Sequence, residues 1–224
     1  MPSVLLIRHG QASFGATDYD VLSDLGERQA AAVHAEIVRR GVVGRRLVAG
    51  DLHRQLDTAL PFIEREGELE IDARWNEYDS ADVLAAHSPA DASLERPVGA
   101  GAEVLGTREF QSLLDHALLA WIDAGADSIA REPWPAFQGR CRAALTTLVA
   151  GLGAGETALV FTSGGVISAL AARLLGLPDS AMVAFNHVVV NAAITKLVSG
   201  RRGLSLVSFN EHGHLEPDHL VTYR

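Results

Sequence analysis

The sequence predicts an α/β protein built on a mainly parallel central sheet. Short apolar runs of strand type alternate along the chain with segments of helical period. The first run, Val4-Leu5-Leu6-Ile7, is unbroken by polar residues, as a strand buried on both faces should be. With 224 residues and 48% apolar side chains, the chain can also supply a substantial core.

"SVLLIRHG" (3–10) is the first strand, ending in charge and glycine. A helix follows from Ser23 or Asp24: Asp24 and Glu27 have capping-box spacing, Ala30, Val33 and Ile37 share a face, and Gly41 sits where a left-handed stop belongs. "RLVAGD" (46–51) reads as a short strand. The next helix starts near His53 with Leu56, Ala59, Leu60 and Ile63 on one side, and Pro61 is expected to break or kink it. Residues 78–107 are rich in Ala, Gly, Ser and Pro with weak periodicity, and are expected to leave the sheet.

Two further helices are predicted. One covers 108–124 and aligns Phe110, Leu113, Leu114, Ala117 and Trp121; the other covers 136–152 and aligns Phe137, Cys141, Leu145, Leu148 and Leu152. "LVFTSGGVIS" (159–168) reads as strand, turn and helix, and "VVVNAAITKLV" (188–198) and "LSLVSFN" (204–210) as two more strands. No internal repeat or low-complexity linker interrupts this order. The expectation is one domain over 1–224 with an inserted cap at about 78–135.

A net charge of −9 and a pI near 5.4 argue against nucleic-acid or anionic-membrane partners, which require a basic face. An anionic substrate must therefore find a local positive pocket. Cys141 is the single cysteine, which precludes an internal disulfide, and its place on an apolar stripe reads as a small buried hydrophobe. The N-terminal apolar run is too short for a signal peptide or a membrane span, so a cytoplasmic location is expected.

Arg8-His9-Gly10 follows the first strand directly, and side chains at the carboxyl end of a central parallel strand face the crevice where such proteins bind ligands. "IRHGQASFG", "LSDLGERQA" and "LHRQLDTA" occur in that order, followed by "WNEYD", Ser163-Gly164-Gly165, "NAAIT" and "NEHGHLE". Together they resemble the histidine phosphatase superfamily, whose best-known branch is the cofactor-dependent phosphoglycerate mutases. The resemblance spans most of the chain. It implies a phosphoglycerate mutase-like, three-layer α/β/α sandwich with a helical insertion. It also implies that His9 is a nucleophile that becomes phosphorylated, that Arg8 and Arg54 hold the phosphoryl group, and that Glu77 is the acid–base carboxylate.

Physical chemistry supports those roles. Phosphoryl transfer concentrates negative charge on equatorial oxygens, which planar guanidinium groups bind in paired, charge-assisted hydrogen bonds. Two nearby cations also lower the pKa of His9 and keep its imidazole neutral for attack. A carboxylic acid at the rim supplies the proton that the leaving alkoxide needs; Glu77 is the first candidate, with Asp79 and Asp82 close enough in sequence to compete.

Several positions depart from the family pattern. Gln11, Ala12 and Ser13 replace the usual continuation of the first motif, and Gly15 replaces an asparagine. Gln11 is expected to face the phosphate as an amide donor, while Ser13 or the backbone around Phe14-Gly15 is left to replace lost contacts. Gly50 stands where a serine is common. The largest departure is Ser163, at the position of a second catalytic histidine. Removing such a donor typically costs about 10² to 10³ in rate. The Ser163 hydroxyl, the Gly164 and Gly165 amides and the following helix N-terminus are expected to recover part of it.

Rival chemistries fit less well. A serine-esterase elbow needs a glycine two residues before Ser163, where Phe161 stands. His187 is a distant candidate to fill the histidine position. His212 and His214 form a His-x-His pair without the carboxylate or cysteine set that a metal site needs.

Two readings survive. The first is a cofactor-free, metal-independent phosphomonoester hydrolase, acting on a small phosphorylated molecule through a phosphohistidine on His9, with activity reduced by Ser163. The second is a catalytically weakened binding or regulatory module for phosphorylated ligands; a mutase is a weaker third. Arg96, Arg108 and Arg131 are the cap's basic residues, and Trp75, Tyr78, Trp121 and Trp134 are candidate apolar walls. Substrate identity and oligomeric state stay open.

Overall fold

Alternation of side chains along the first strand, β1 (Ser3–Arg8), divides the interior into two cores. Val4 and Leu6 join one apolar cluster, Leu5 and Ile7 the other. All four are exposed by 3% or less. The computed structural model describes residues 1–13, 20–87 and 107–223, without the side chains of Thr107 and Arg108. Phe14, Gly15, Arg96 and the side chain of Arg108, singled out in the sequence, lie outside the described residues.

The other strands are β2 (Arg46–Ala49), β3 (Leu69–Ile71), β4 (Thr157–Thr162), β5 (Ile194–Gly200) and β6 (Gly203–Glu211). They form a six-stranded sheet in the order β3-β2-β4-β1-β5-β6. Pairings are parallel from β3 through β1, whereas β5 runs antiparallel to both β1 and β6. The predicted α/β fold with a mainly parallel sheet is therefore the observed one.

On one face, α1 (Asp24–Arg39) and α2 (His53–Glu66) bring Val33, Ile37, Ala59 and Phe62 against Leu5, Ile7, Leu47, Leu159 and Phe161. On the other, α5 (Trp134–Ala150) and α6 (Gly164–Leu174) bring Phe137, Cys141, Val166 and Ile167 against Val4, Leu6, Val48 and Val160. Each large apolar side chain sealed in these layers contributes about 1.5–3 kcal/mol. Among the described residues, the other α-helices are α3 (Ser80–His87), α4 (Thr107–Ala124) and α7 (Ala181–Val188).

The structure corrects several local expectations. The cap of α1 is Ser23, whose extended backbone lets its hydroxyl accept the Gly26 amide at 3.1 Å; Asp24 is already helical. Gly41 does adopt the left-handed conformation, at φ +64°. Helix α2 runs past Pro61 to Glu66, and its buried stripe is Gln55, Thr58, Ala59 and Phe62, with Leu60 turned outward. Helix α3 lies in the stretch read as aperiodic. Strand β5 begins at Ile194, because Val188 ends α7 and the intervening residues form a turn in which Ala192 has φ +58°.

Trp75, Tyr78, Trp121 and Trp134 are core residues, with the Trp121 and Trp134 rings packed edge to face; Tyr78 and Trp121 also line a pocket beside Glu77, Arg131 and Arg140, whereas Trp75 and Trp134 do not line it. Cys141 is buried as expected, and burial pushes its thiol up to about 12. Among the described residues, no helix is long and apolar enough to cross a membrane.

Candidate active site

Strands β1 and β4 run parallel with Arg8 opposite Thr162, so the next residues, His9 and Ser163, leave adjacent strand ends. The His9 amide donates to the Thr162 carbonyl at 2.9 Å, and Asn191 Nδ2 donates to the His9 carbonyl at 3.1 Å. His9 is 6% exposed. Its Nδ1 lies 2.7 Å from the Gly10 carbonyl, which assigns the ring proton to Nδ1 and the lone pair to Nε2. Burial, then Arg54 and Arg8, hold its pKa well below the usual histidine value, against a smaller opposing effect of the Gly10 hydrogen bond.

Arg54 sits in the first turn of α2 and donates from Nε to His9 Nε2 at 3.2 Å. Its Nη1 is ion-paired with Asp20, which also accepts the His53 amide at 2.8 Å. One turn on, the Thr58 hydroxyl donates to the Arg54 carbonyl at 2.6 Å and accepts the Gly10 amide at 2.9 Å. That hydroxyl ties the arginine's helix to the loop after His9. Arg8 Nη1 donates to the carbonyls of Val189 and Tyr223.

Glu77 reaches the opposite side of the turn. Its Oε2 accepts the Gly165 amide at 2.9 Å, and its Oε1 accepts the Tyr78 amide at 3.2 Å. Burial raises its pKa above the ordinary carboxyl value, while the Gly165 amide, Arg54 and Arg8 oppose that shift. The segment carrying Glu77 is clamped by Arg140, which donates to the carbonyls of Arg74 at 2.9 Å, Asn76 at 2.7 Å and Glu77 at 3.4 Å. Glu132 in turn holds Arg140 through two hydrogen bonds. Asp79 and Asp82, the competing carboxylates, are engaged elsewhere: Asp79 accepts the Asp82 amide, and Asp82 accepts the Arg131 amide and pairs with its guanidinium.

Ser163 precedes α6 in an extended conformation, and its side chain makes no capping bond to that helix. Instead, its Oγ accepts Gln55 Nε2 at 2.8 Å. A side chain on Gly164 would lie 2.6 Å from Asn186 Oδ1 and 3.5 Å from Arg8 Nε, so glycine lets those groups approach. The expectation that both glycine amides serve an anion needs correction: the Gly165 amide is occupied by Glu77.

Gln11 accepts the Ser23 hydroxyl on its Oε1 at 3.1 Å, which fixes its amide beside the α1 N-terminus. Ser13 donates its hydroxyl to the Leu22 carbonyl. His187 pairs with Asp115 at 2.5 Å and does not fill the histidine position. His212 and His214 bond to the carbonyls of Asn210 and Ala192.

Sequence reasoning thus named His9, Arg8, Arg54, Glu77, Ser163 and Gly164, and the structure gathers them. It missed Asp20, Gln55, Thr58, Asn191 and Arg140. Thr58 stands four residues after Arg54 on one helix face, a spacing that offered a signal; Gln55 and Asn191 lie within the quoted "LHRQLDTA" and "NAAIT" stretches without being singled out, and Asp20 and Arg140 have no signal along the chain.

A buried histidine between two guanidinium groups, with a protonatable carboxyl nearby at the carboxyl ends of parallel strands, belongs to the class of α/β proteins that handle anionic ligands. Residues 4–212 match the family model described as histidine phosphatase superfamily (branch 1), and the chain belongs to that superfamily. It is 30% identical over 184 residues to a glucosyl-3-phosphoglycerate phosphatase of Mycolicibacterium vanbaalenii, covering 78% of this chain and 75% of that protein. A mycobacterial glucosyl-3-phosphoglycerate phosphatase in complex with VO3 superposes with a TM-score of 0.65 at 25% identity, over 94% of this chain and 99% of that one. YhfR of Bacillus stearothermophilus shares the fold, with a TM-score of 0.70 at 16% identity, over 96% of this chain and 100% of that one.

Proposed function

We propose that the protein is a phosphomonoester hydrolase working through a phosphohistidine on His9. The observation that carries this reading is the His9 tautomer: the Gly10 carbonyl takes the Nδ1 proton, so the Nε2 lone pair is presented beside Arg54. The depressed pKa keeps that ring neutral at neutral pH.

In the forward step, Nε2 attacks phosphorus, the P–O bond to the leaving group breaks, and the carboxylic acid of Glu77 gives its proton to the departing alkoxide. In the second step the Glu77 carboxylate takes a proton from water, the water oxygen attacks phosphorus, and the N–P bond breaks. Inorganic phosphate leaves and neutral His9 is restored. Arg54 exchanges its contact with Nε2 for phosphoryl oxygens, and Arg8 and the free end of the Gln11 amide hold the others. The guanidinium groups supply the positive charge, so the reaction needs no metal ion. With Ser163 in place of an imidazole, turnover is slower than a second histidine would give. The named relatives favour a small phosphorylated substrate, with a hydroxyl-rich phosphoglycerate ester as the first class to screen.

Rapid-quench assays with an aryl phosphate test this. The expected result is a burst of released phenol, with acid-labile phosphate on His9 that the His9→Ala variant lacks. Absence of turnover with any phosphomonoester, together with phosphate-ester binding that His9→Ala leaves intact, overturns it in favour of a binding module.

A further inference from the structure

Resting on the phosphatase reading, we infer that Gln55 is a positioning residue that makes the Ser163 hydroxyl a one-directional hydrogen-bond donor to the phosphoryl group. A serine hydroxyl carries one proton and two lone pairs, and ordinarily rotates to suit its neighbours. Here the donor Gln55 Nε2 sits 2.8 Å from Oγ, so Oγ acts as an acceptor on that side. Among the described residues, no acceptor takes the hydroxyl proton in return.

The Trp75 carbonyl sets the orientation of the Gln55 amide: Nε2 also donates to it at 3.2 Å, and a flipped amide would set Oε1 against that oxygen. The cost of this orientation is a buried Oε1 with no hydrogen-bond partner among the described residues. The Trp75 carbonyl further accepts the Thr162 hydroxyl at 2.6 Å, so it is already doubly engaged and is not an outlet for the Ser163 proton. Gln55 is fully buried. Gly50 makes the room: a side chain there would lie 1.9 Å from Gln55 Oε1.

Position then selects the acceptor. Ser163 leaves β4 beside His9, and the next residue, Gly164, approaches the Arg8 guanidinium. A buried hydroxyl with an uncommitted proton is costly unless an oxygen accepts it, and an anionic oxygen is the strongest acceptor such a place can hold. The same arrangement argues against Ser163 as a nucleophile. Its hydrogen-bonding neighbour is an amide donor, and among the described residues no base accepts its proton.

The test is a double-mutant cycle on the full chain: Ser163→Ala, Gln55→Met and the double variant. kcat and KM for 4-nitrophenyl phosphate, inhibition by vanadate and thermal midpoint are measured for each. Each single variant should lower kcat/KM roughly 10- to 100-fold and weaken vanadate inhibition comparably, as expected for a hydrogen bond to a charged group. The double variant should lose no more than the worse single one. Gln55→Glu, of nearly equal volume, offers Ser163 an acceptor and should turn its proton away from the phosphate, giving a loss at least as large. Multiplicative losses in the double variant, or unchanged kcat/KM in folded Gln55→Glu, overturn the inference. Full turnover in His9→Ala would instead overturn the phosphohistidine mechanism, and absence of turnover in the wild type the phosphatase reading itself.

Discussion

The Glu77 carboxylate accepts the amide of Gly165 at 2.9 Å, so the N-terminus of α6 holds the proposed acid. A helix N-terminus favours the ionised form of a carboxyl group, as do Arg8 and Arg54, yet the pKa is raised. Burial therefore outweighs them, which favours the protonated form that the proposed acid role requires.

Replacing Glu77 should separate substrates by leaving group. Glu77→Gln is expected to slow hydrolysis of alkyl phosphates about 10² to 10⁴-fold, because an alkoxide must be protonated as it leaves. 4-Nitrophenyl phosphate, with a far less basic leaving group, should lose much less. Steady-state kcat/KM across a series of leaving groups checks this; equal losses along the series would remove Glu77 as the acid.

The pH profile follows from two opposite shifts. The pKa of His9 is lowered, so its reactive neutral form is gained as pH rises through a value below 6.5. The pKa of Glu77 is raised, so its protonated form is lost as pH rises through a value above 4.5. kcat/KM should be bell-shaped, and in Glu77→Gln the alkaline fall assigned to that acid should disappear. Unfolding has a related signature. Unfolded His9 binds a proton below 6.5 that the folded chain refuses, so this residue's contribution to stability falls as pH drops below that value.

Gly165→Ala tests the acid's position without touching its chemistry. An added side chain would lie 2.3 Å from Glu77 Oε1 and 2.6 Å from the Tyr78 ring, so the carboxylate must move. A fall in kcat of about 10-fold or more is expected, with leaving-group dependence like that of Glu77→Gln. A variant matching the wild type in kcat would show that the bond to Gly165 does not set the acid's place.

Arg140→Met removes the clamp on the Glu77 segment while keeping much of the side chain's length. Three carbonyl acceptors and Glu132 lose their partner at once. We expect a loss of about 2–4 kcal/mol in stability and a lower kcat with little change in KM. Urea denaturation and steady-state kinetics read both; an unchanged kcat in folded protein would show that Glu77 is held without the clamp.

Gly26→Ala probes the joint between the nucleophile's loop and α1. An added Cβ would lie 2.2 Å from the Gln11 carbonyl oxygen, and one on Gly10 would lie 2.5 Å from the Gly26 carbonyl oxygen. Backbone meets backbone here, so neither side can rotate away. Destabilisation of about 1–3 kcal/mol is expected by denaturant titration; a stability equal to wild type would mean the two segments separate freely.

The sequence by itself determined the fold class, because unbroken apolar runs and helical apolar stripes report burial directly, and it named the residues at the strand ends through the order of its motifs. It did not reveal β3, whose three residues include an exposed Glu70 and Ile71 and so carry no burial pattern. It also misread Val188 to Ala193 as strand from its β-branched residues. In the structure the Val190 amide goes to the Asn210 side chain and the Asn191 amide to the Thr222 carbonyl, instead of into a strand ladder. The partner of Ser163 was invisible for a related reason: Gln55 is a polar residue 108 positions away, buried where helical patterning expects apolar side chains. Periodicity records which positions avoid water. Which polar groups are buried together, and therefore which way the Ser163 proton points, is decided by chain closure in three dimensions.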